Sequence, residues 1–492
     1  MPELVYNNFS RGTNNRDANS VLRDEEFPDS QNIVLEQLGA LMLRPGTTPY
    51  RSVPVYGEEP VTSLHEFIQR DGTGHTIAAA GPAICRLGST AWNPLKEDFS
   101  SGRRFSFTNH SMNDICLMVN GEDGYFKFDG NSISEVDPYE PTQEEETEIG
   151  LNSIPGKAKI VVYHRYRIWL INVENYPDRA YFCGTDINGN IMYDYFPTTN
   201  WLRSSNTRGE AITAAVSFRG NLFLFTANTI RVVTGADPEE FAMQDVSNNV
   251  GCIGPRAIKE KDGLLFFVGI DGFYLFDGNG PPEKISNRIP ETFKRIARLH
   301  RDNTVIANYQ GKLLIALPES DINDLILEYN TDVIVIQHLG RSHSYSNSPW
   351  VHHRGIRVND FLNTSDENLI FAGTDGLVYE YGVGAMDSGN PINAYMVFKT
   401  VNAKQIAVRK WFRRIQVVYE PQGEGFLELW YKTNATEDWV RLRDVDLSGE
   451  DGYAWRSVNT KAQELTIRFV YNYPGYRLKV NAIVVDFEYL PV

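Results

Sequence analysis

Few residues in this chain have both the types and the spacing that catalysis or metal binding demands. Nine histidines are present without an H-E-x-x-H pair, and the adjacent His352 and His353 project to opposite faces of any regular strand, so they cannot share one metal ion. A surface loop is their expected home. Asp186-Ile187-Asn188-Gly189-Asn190 carries oxygen donors at suggestive spacing but lacks the later glycine and glutamate of a calcium loop, and it reads as a turn. There is no G-x-S-x-G, no Walker loop and no C-x-x-C, and Gly269-Ile270-Asp271-Gly272 misses the spacing and the following helix of a dinucleotide fingerprint. The cysteines, Cys85, Cys116, Cys183 and Cys252, are widely scattered and fall mostly in expected strands, which favours buried thiols over a disulfide framework. No catalytic, cofactor-binding or metal-binding residue is assigned from these patterns, and no enzymatic activity is expected.

Three further segments are candidates for a functional role. Ser448-Gly449-Glu450-Asp451-Gly452-Tyr453-Ala454-Trp455 is similar to the Asp box of sialidases, but its Ser-to-Asp spacing is one residue too long and it occurs once where sialidases carry several. Arg409-Lys410-Trp411-Phe412-Arg413-Arg414 is the densest basic stretch, and its aromatic pair would suit a single nucleic-acid strand; the plainer reading is the start of a β-strand with solvated edges. The acidic run Glu144-Glu145-Glu146-Thr147-Glu148, beside Pro138 and Pro141, reads as a solvated loop. A formal charge of -16 speaks against tight binding to a polyanion. No window approaches ~18 uninterrupted apolar residues, and the N-terminus lacks the basic and apolar regions of an export signal, so neither a membrane segment nor ordinary secretion is expected.

The elements that would have to position any such residues are hairpins. One phrase recurs as Asp123-Gly124-Tyr125-Phe126-Lys127-Phe128-Asp129-Gly130, as Asp271-Gly272-Phe273-Tyr274-Leu275-Phe276-Asp277-Gly278 and, more loosely, as Asp375-Gly376-Leu377-Val378-Tyr379-Glu380-Tyr381-Gly382. Each places Asp-Gly between an apolar run and an aromatic one, and so predicts a two-residue hairpin turn with positive φ. The same rhythm runs through residues 62–87, 105–136, 160–183, 212–233, 264–276, 305–335 and 369–381, with further turns at Arg219-Gly220-Asn221 and Gln310-Gly311-Lys312. About seven sheets at intervals of roughly 40–60 residues predict an irregular β-propeller of about six to eight blades.

The pattern changes near Pro391. Longer strands are expected at 412–419, 425–432, 440–447, 462–470 and 478–487, several alternating cleanly, as in Phe426-Leu427-Glu428-Leu429-Trp430. They predict a C-terminal antiparallel β-sandwich of about 100 residues. At the other end the chain is polar and reads as an arm, followed by a hairpin of Ile33-Val34-Leu35 and Leu41-Met42-Leu43, one strand of which is expected to complete the last blade. The expected division is therefore an all-β chain with an arm at 1–31, a propeller at 32–390 and a sandwich at 391–492.

Against this background a set of short motifs resembles one family. Asn7-Asn8-Phe9-Ser10-Arg11-Gly12-Thr13-Asn14, Gln31-Asn32, Gly39-Ala40-Leu41 and Arg44-Pro45-Gly46-Thr47 are similar to the opening of the tail nozzle and hub proteins of short-tailed phages. Gly251-Cys252-Ile253-Gly254-Pro255-Arg256, Asp262-Gly263-Leu264-Leu265-Phe266-Phe267 and Asp271-Gly272-Phe273-Tyr274 resemble the middle of those proteins and of head-completion proteins. Phe371-Ala372-Gly373-Thr374-Asp375-Gly376, Asp387-Ser388-Gly389 and Lys410-Trp411-Phe412 follow in the same order. The resemblance implies a structural protein of the virion, synthesised in the host cytoplasm, without an active site. It implies a homo-oligomeric ring, commonly sixfold, below the portal and adaptor, touching other tail proteins and passing genomic DNA without binding it tightly. The acidic charge then has a rationale, since a channel wall that repels phosphates lets DNA slide. The competing expectation is a carbohydrate- or receptor-binding propeller of the tail; a glycosidase comes third.

Overall fold

The computed structural model describes residues 2–35, 39–204, 209–331, 349–436 and 438–491. Its secondary structure is almost entirely strand. Six consecutive four-stranded antiparallel sheets form blades 1 to 6. Blade 1 runs from Val61–Ile68 to Trp92–Lys96, blade 2 from Ser106–His110 to Ile133–Glu135, and blade 3 from Ala158–His164 to Trp201–Arg203. Blade 4 runs from Ala214–Phe218 to Ala242–Ser247, blade 5 from Ile258–Lys261 to Glu283–Lys284, and blade 6 from Val305–Tyr309 to Trp350–His353. Blade 7 contains Asp360–Asn363, Leu369–Ala372 and Val378–Tyr381 and borrows Thr47–Pro49 from the N-terminal region. Its first strand contacts the first strand of blade 1, closing the ring. The part of the expected 305–335 group beyond Thr331 lies outside the described residues.

Each blade presses both faces against neighbouring blades, which is why its middle strands are apolar runs without alternation. Ile115–Val119 and Leu264–Val268 are buried throughout. The propeller core is accordingly distributed in layers: Phe67, Met118 and Phe128 lie between blades 1 and 2, and Trp169, Phe182 and Leu224 between blades 3 and 4.

The turns fall into two classes that the sequence did not separate. Links between first and second strands include tight two-residue turns such as Arg219-Gly220 (φ 47° and 75°), between the paired residues Phe218 and Asn221, and Gln310-Gly311 (φ 44° and 75°). These positive angles match the twist of the strands they join. The Asp-Gly phrases instead lie in longer links between second and third strands: Val119 pairs with Tyr125, Val268 with Phe273 and Ala372 with Val378. The expectation of two-residue turns at all three is corrected. In these links the aspartate side chain organises the loop: Asp271 accepts from the Tyr274 hydroxyl at 2.6 Å and pairs with Lys284 at 2.8 Å. Gly272 has no positive φ; a Cβ there would meet Lys284 Cε at 2.5 Å and Ser286 Oγ at 2.6 Å, so close approach is what requires glycine.

The C-terminal sheets enclose one large core. One sheet places Lys410–Tyr419 between Tyr453–Ala462 and Lys479–Tyr489; the other places Leu465–Tyr471 between Ala394–Val397 and Phe426–Thr433. The strand Tyr453–Ala462 is absent from the sequence expectation because only Val458 and Ala462 are buried in it. The N-terminal segment supplies strands to both sheets: Glu3–Tyr6 pairs with Lys479–Tyr489, and Asp29–Gln31 pairs with Ala394–Val397. The hairpin of Ile33–Leu35 and Leu41–Leu43 forms as expected, but it extends the sandwich. The strand that completes the last blade is Thr47–Pro49, paired with Val378–Tyr381. Ile33, Leu41 and Leu43 are fully buried apolar residues and belong in the larger core, whereas Thr47–Pro49, in which only Thr47 is buried, lies between Val378–Tyr381 and the short strand Met386–Asp387.

The acidic run also differs from its expectation as a loop. Gln143–Ile149 is a short helix with Thr142 and Glu145 forming a capping box. Glu144, Glu145 and Glu146 occupy its first turn, where unpaired amide groups favour negative charge.

Candidate functional site

The residues with chemical potential are fixed inside the fold. His352 and His353, expected on a surface loop, are buried in the outer strand of blade 6 because the N-terminal segment covers that strand. They do point opposite ways. His352 Nε2 lies 3.0 Å from Thr292 Oγ1 and its Nδ1 lies 3.5 Å from Thr13 Oγ1, while His353 Nε2 lies 3.4 Å from Glu328. Burial pushes His352 down to about 3, so it stays neutral. Burial alone would raise the Glu328 carboxyl, but His353 and Lys312, the latter at 2.6 Å, together hold it below its usual range.

All four cysteines are buried free thiols. Burial pushes Cys85 and Cys252 up to about 12, Cys183 up to about 11, and Cys116 upward as well. A thiol held protonated is no nucleophile. Asp186 uses both carboxylate oxygens on its own turn, accepting from the backbone N–H of Asn188 and from the backbone and side chain of Asn190 at 2.8–2.9 Å. Among the described residues no group of three His, Cys, Asp or Glu side chains is arranged to hold a metal ion.

The basic segment at 409–414 is internally neutralised. Lys410 is buried, donating to the carbonyls of Gln405, Val408 and Gln463 at 2.5–2.9 Å, and Phe412 lies in the sandwich core. Arg413 stacks on Trp411 at 4.0 Å and pairs with Glu488 at 2.8 Å; Arg414 stacks on Trp455 at 3.8 Å and pairs with Asp486 at 2.5 Å. The plainer reading of this segment as a strand beginning is the one the structure takes.

What the structure brings together is a junction between propeller and sandwich. Arg44, fully buried, donates through Nη1 and Nη2 to both oxygens of Asp387, at 2.9 and 2.5 Å. It also donates to the carbonyls of Pro45 and Arg354 and, through Nε, to Asn32 Oδ1 at 2.9 Å. Asn32 is a second hub: the same oxygen accepts from the Arg354 N–H, its backbone N–H donates to His352 O, and its Nδ2 donates to Asn393 O at 2.7 Å. Its left-handed backbone, φ 58°, aims these groups at blade 6 and the sandwich together. Beside them Gly46 passes so close to the chain that a Cβ would sit 2.1 Å from Met386 O. Sequence reasoning marked Asn32, Arg44, Gly46 and Asp387 only through motif resemblance, since their partners lie hundreds of residues away.

Two cavities accompany this arrangement. One of about 720 Å³ lies along the junction, with Asn32, Arg354 and Asp387 in its wall. The other, about 840 Å³, is the bore of the propeller, bounded by residues along the first strands and in the segments that lead into them.

No protein-family model matches the chain, and no curated protein matches it in sequence. Among solved structures, the extracellular domain of the hybrid two-component system BT4673 from B. thetaiotaomicron superposes with a TM-score of 0.42 at 9% identity, over 88% of this chain and 61% of that one. YCF48 from Cyanidioschyzon merolae gives 0.39 at 10% identity, over 68% and 98%. The WD40 domain of Neurospora crassa Pan2 gives 0.40 at 9% identity, over 71% and 97%. Such likeness concerns the fold alone.

Proposed function

We propose that this chain is a non-catalytic structural protein of a tailed-phage virion, a subunit of a ring in the head-to-tail connector or tail through which DNA leaves the particle. The observation that carries this reading is the use of the motif residues. Asn32, Arg44, Gly46 and Asp387 lock the propeller to the sandwich, Lys410 anchors a sandwich strand, and Arg256 reaches across the bore from the start of blade 5 to Ser63 of blade 1 and the Phe105 carbonyl ahead of blade 2. Residues that set shape are what a subunit needs when it holds a ring together under the pressure of packaged DNA. In this reading DNA follows the wall of a ring built from several copies, because the bore of one propeller has the volume of a small-molecule pocket. A single chain forming a closed ring uses a heterologous interface.

The test is electron microscopy of the parent particle with antibody labelling of this chain. Label at the head–tail junction with rotational symmetry is expected; purified particles that lack the chain overturn the reading. The second reading, a carbohydrate- or receptor-binding tail protein, has its own observation. On the outer face of the sandwich Arg468 lies 5.3 Å from the ring of Trp430 and 4.7 Å from that of Trp439, all partly exposed, which is an aromatic and cationic surface suited to saccharide. Specific oligosaccharide binding lost in Trp430→Ala would support it, and cleavage of the bound sugar would contradict both readings.

A further inference from the structure

The formal charge of the chain is -16, yet cations gather at one mouth of the propeller bore. Arg104 precedes the first strand of blade 2, Lys159 lies in the first strand of blade 3, and Arg256 and Lys259 lie at the start of blade 5. Asp302 and Asp360 are the facing acids. Asp360 is already engaged: one oxygen accepts from the Leu64 N–H at 2.9 Å and lies 3.5 Å from Arg256 Nε, and the other accepts from the Phe361 N–H. Arg256 is engaged too, donating to Ser63 Oγ at 2.9 Å and to the Phe105 carbonyl at 2.6 Å.

The remaining cations are under-neutralised. Arg104 donates to the Asn303 carbonyl at 3.2 Å and has no carboxylate within ion-pair distance among the described residues. Burial first, and then the neighbouring Arg256 guanidinium, push it down to about 10, with Asp360 and Asp302 opposing from beyond ion-pair distance. Lys259, half-buried, and Lys159, exposed to the bore, make no hydrogen bond or close ion pair among the described residues. Burial also holds Lys259 below the usual lysine range, with only the more distant Asp360 opposing. Like charges held together in a partly desolvated cavity raise the energy of the empty site, and a bound anion removes that cost.

We propose that this mouth of the bore binds a compact oxyanion of the phosphate or sulfate class, with Arg104, Lys159 and Lys259 as its ligands and Arg256 as the group that positions the blades around it. The volume of about 840 Å³ accommodates such an anion alone or as a substituent on a small saccharide. The site is separate from the junction and does not depend on the virion reading, since it follows from the ring of blades alone.

The test is thermal unfolding of the full chain in inorganic phosphate, with chloride at matched ionic strength as the control, and the same titration in Arg104→Met and Lys259→Met. The unfolding midpoint of the wild type is expected to rise saturably with phosphate. Each substitution removes a charge-assisted contact and should weaken binding by roughly tenfold or more. Without phosphate Lys259→Met is expected to unfold at or above the wild-type midpoint, because a partly desolvated charge has gone, whereas Arg104→Met loses its repulsion with Arg256 and its hydrogen bond to the Asn303 carbonyl together. Should either variant fold poorly, Lys159→Met applies the same test, because methionine keeps the stem that lies against Gly121 and removes only the charge. Glucose 6-phosphate in a parallel titration separates the sources: tighter binding than phosphate assigns a sugar-borne anion, equal or weaker binding assigns the free ion. A phosphate response no larger than that of chloride, or one unchanged in the variants, overturns the proposal.

Discussion

The propeller and the sandwich are both antiparallel β-structure, but they are assembled from opposite kinds of contact. Within blade 4, Phe218 pairs with Asn221 and Phe225 with Ile230, so each strand finds its partner within a few residues. In the sandwich, Val5 pairs with Val484 and Ser30 with Met396, which brings the two ends of the chain together across the whole propeller. Closing such loops costs entropy before any core is buried, so the sandwich and blade 7 depend on a segment that the first six blades do not need for their own sheets. The difference teaches where the molecule is vulnerable: the junction carries dependencies that no single blade carries.

The largest expected effect comes from deleting residues 1–46. The deletion removes Tyr6, Phe9, Phe27, Ile33, Leu41 and Leu43 from the sandwich core, together with Arg44. At about 1.5–3 kcal/mol for each buried large apolar side chain, the loss is comparable to the whole stability of a domain, roughly 5–15 kcal/mol. Limited proteolysis should then cut the region after residue 391 while fragments of blades 1 to 6 persist. Equal resistance of the two regions would remove the distinction between them.

Next is Arg44→Met, which leaves the Asp387 carboxylate without its bidentate partner. A loss of about 3–5 kcal/mol is expected in denaturant unfolding. Adding Asp387→Leu should recover part of it, because the stranded charge is gone. A double variant no more stable than Arg44→Met would show that the arginine matters for its contacts to Asn32 and the carbonyls instead.

Acid sharpens the comparison through two buried histidines, one in each setting. Burial lowers His164 of blade 3 to about 4 and His352 at the junction to about 3. Both lie below the ordinary histidine value of 6.5, so the unfolded chain takes up protons first as the pH falls. Stability contributed by keeping them neutral is present above about pH 6.5 and declines toward pH 4 for His164 and pH 3 for His352. The slope approaches about 1.4 kcal/mol per pH unit for each histidine that titrates fully. His352→Gln should flatten the stability profile between pH 5 and 6.5, above the range of ordinary carboxylates, and an unchanged slope there would show that His352 is protonated in the folded state.

The smallest effect is expected at Trp411 on the sandwich surface. Trp411→Ala removes the stacking with Arg413 and the hydrogen bond from the indole to Asn459, for a loss of about 1 kcal/mol. Nucleic-acid affinity should stay negligible in both forms, because Arg413 and Arg414 already face Glu488 and Asp486.

The hairpins were legible because their signals are local. Asp-Gly and X-Gly pairs, apolar runs and aromatics two residues apart all act within one strand and its turn, and the seven groups they mark correspond to the seven blades. Even there the turn length escaped, since whether Asp271 closes a tight turn or organises a longer link depends on Tyr274 and Lys284. The strand Tyr453–Ala462 escaped because most of its side chains face solvent, leaving no apolar rhythm to read.

Composition and short-range pattern by themselves determined an all-β chain of repeated hairpins followed by a longer-stranded module, because turn chemistry and strand burial act over a few residues. Tertiary structure alone decided which strand closes the ring, why Arg44 is buried and how four scattered cations come to share one cavity. Arg104, Lys159, Arg256 and Lys259 each look like ordinary surface charges in the sequence. Only a closed ring of blades, with the first strand of blade 7 against that of blade 1, turns their positions along the chain into positions around one mouth.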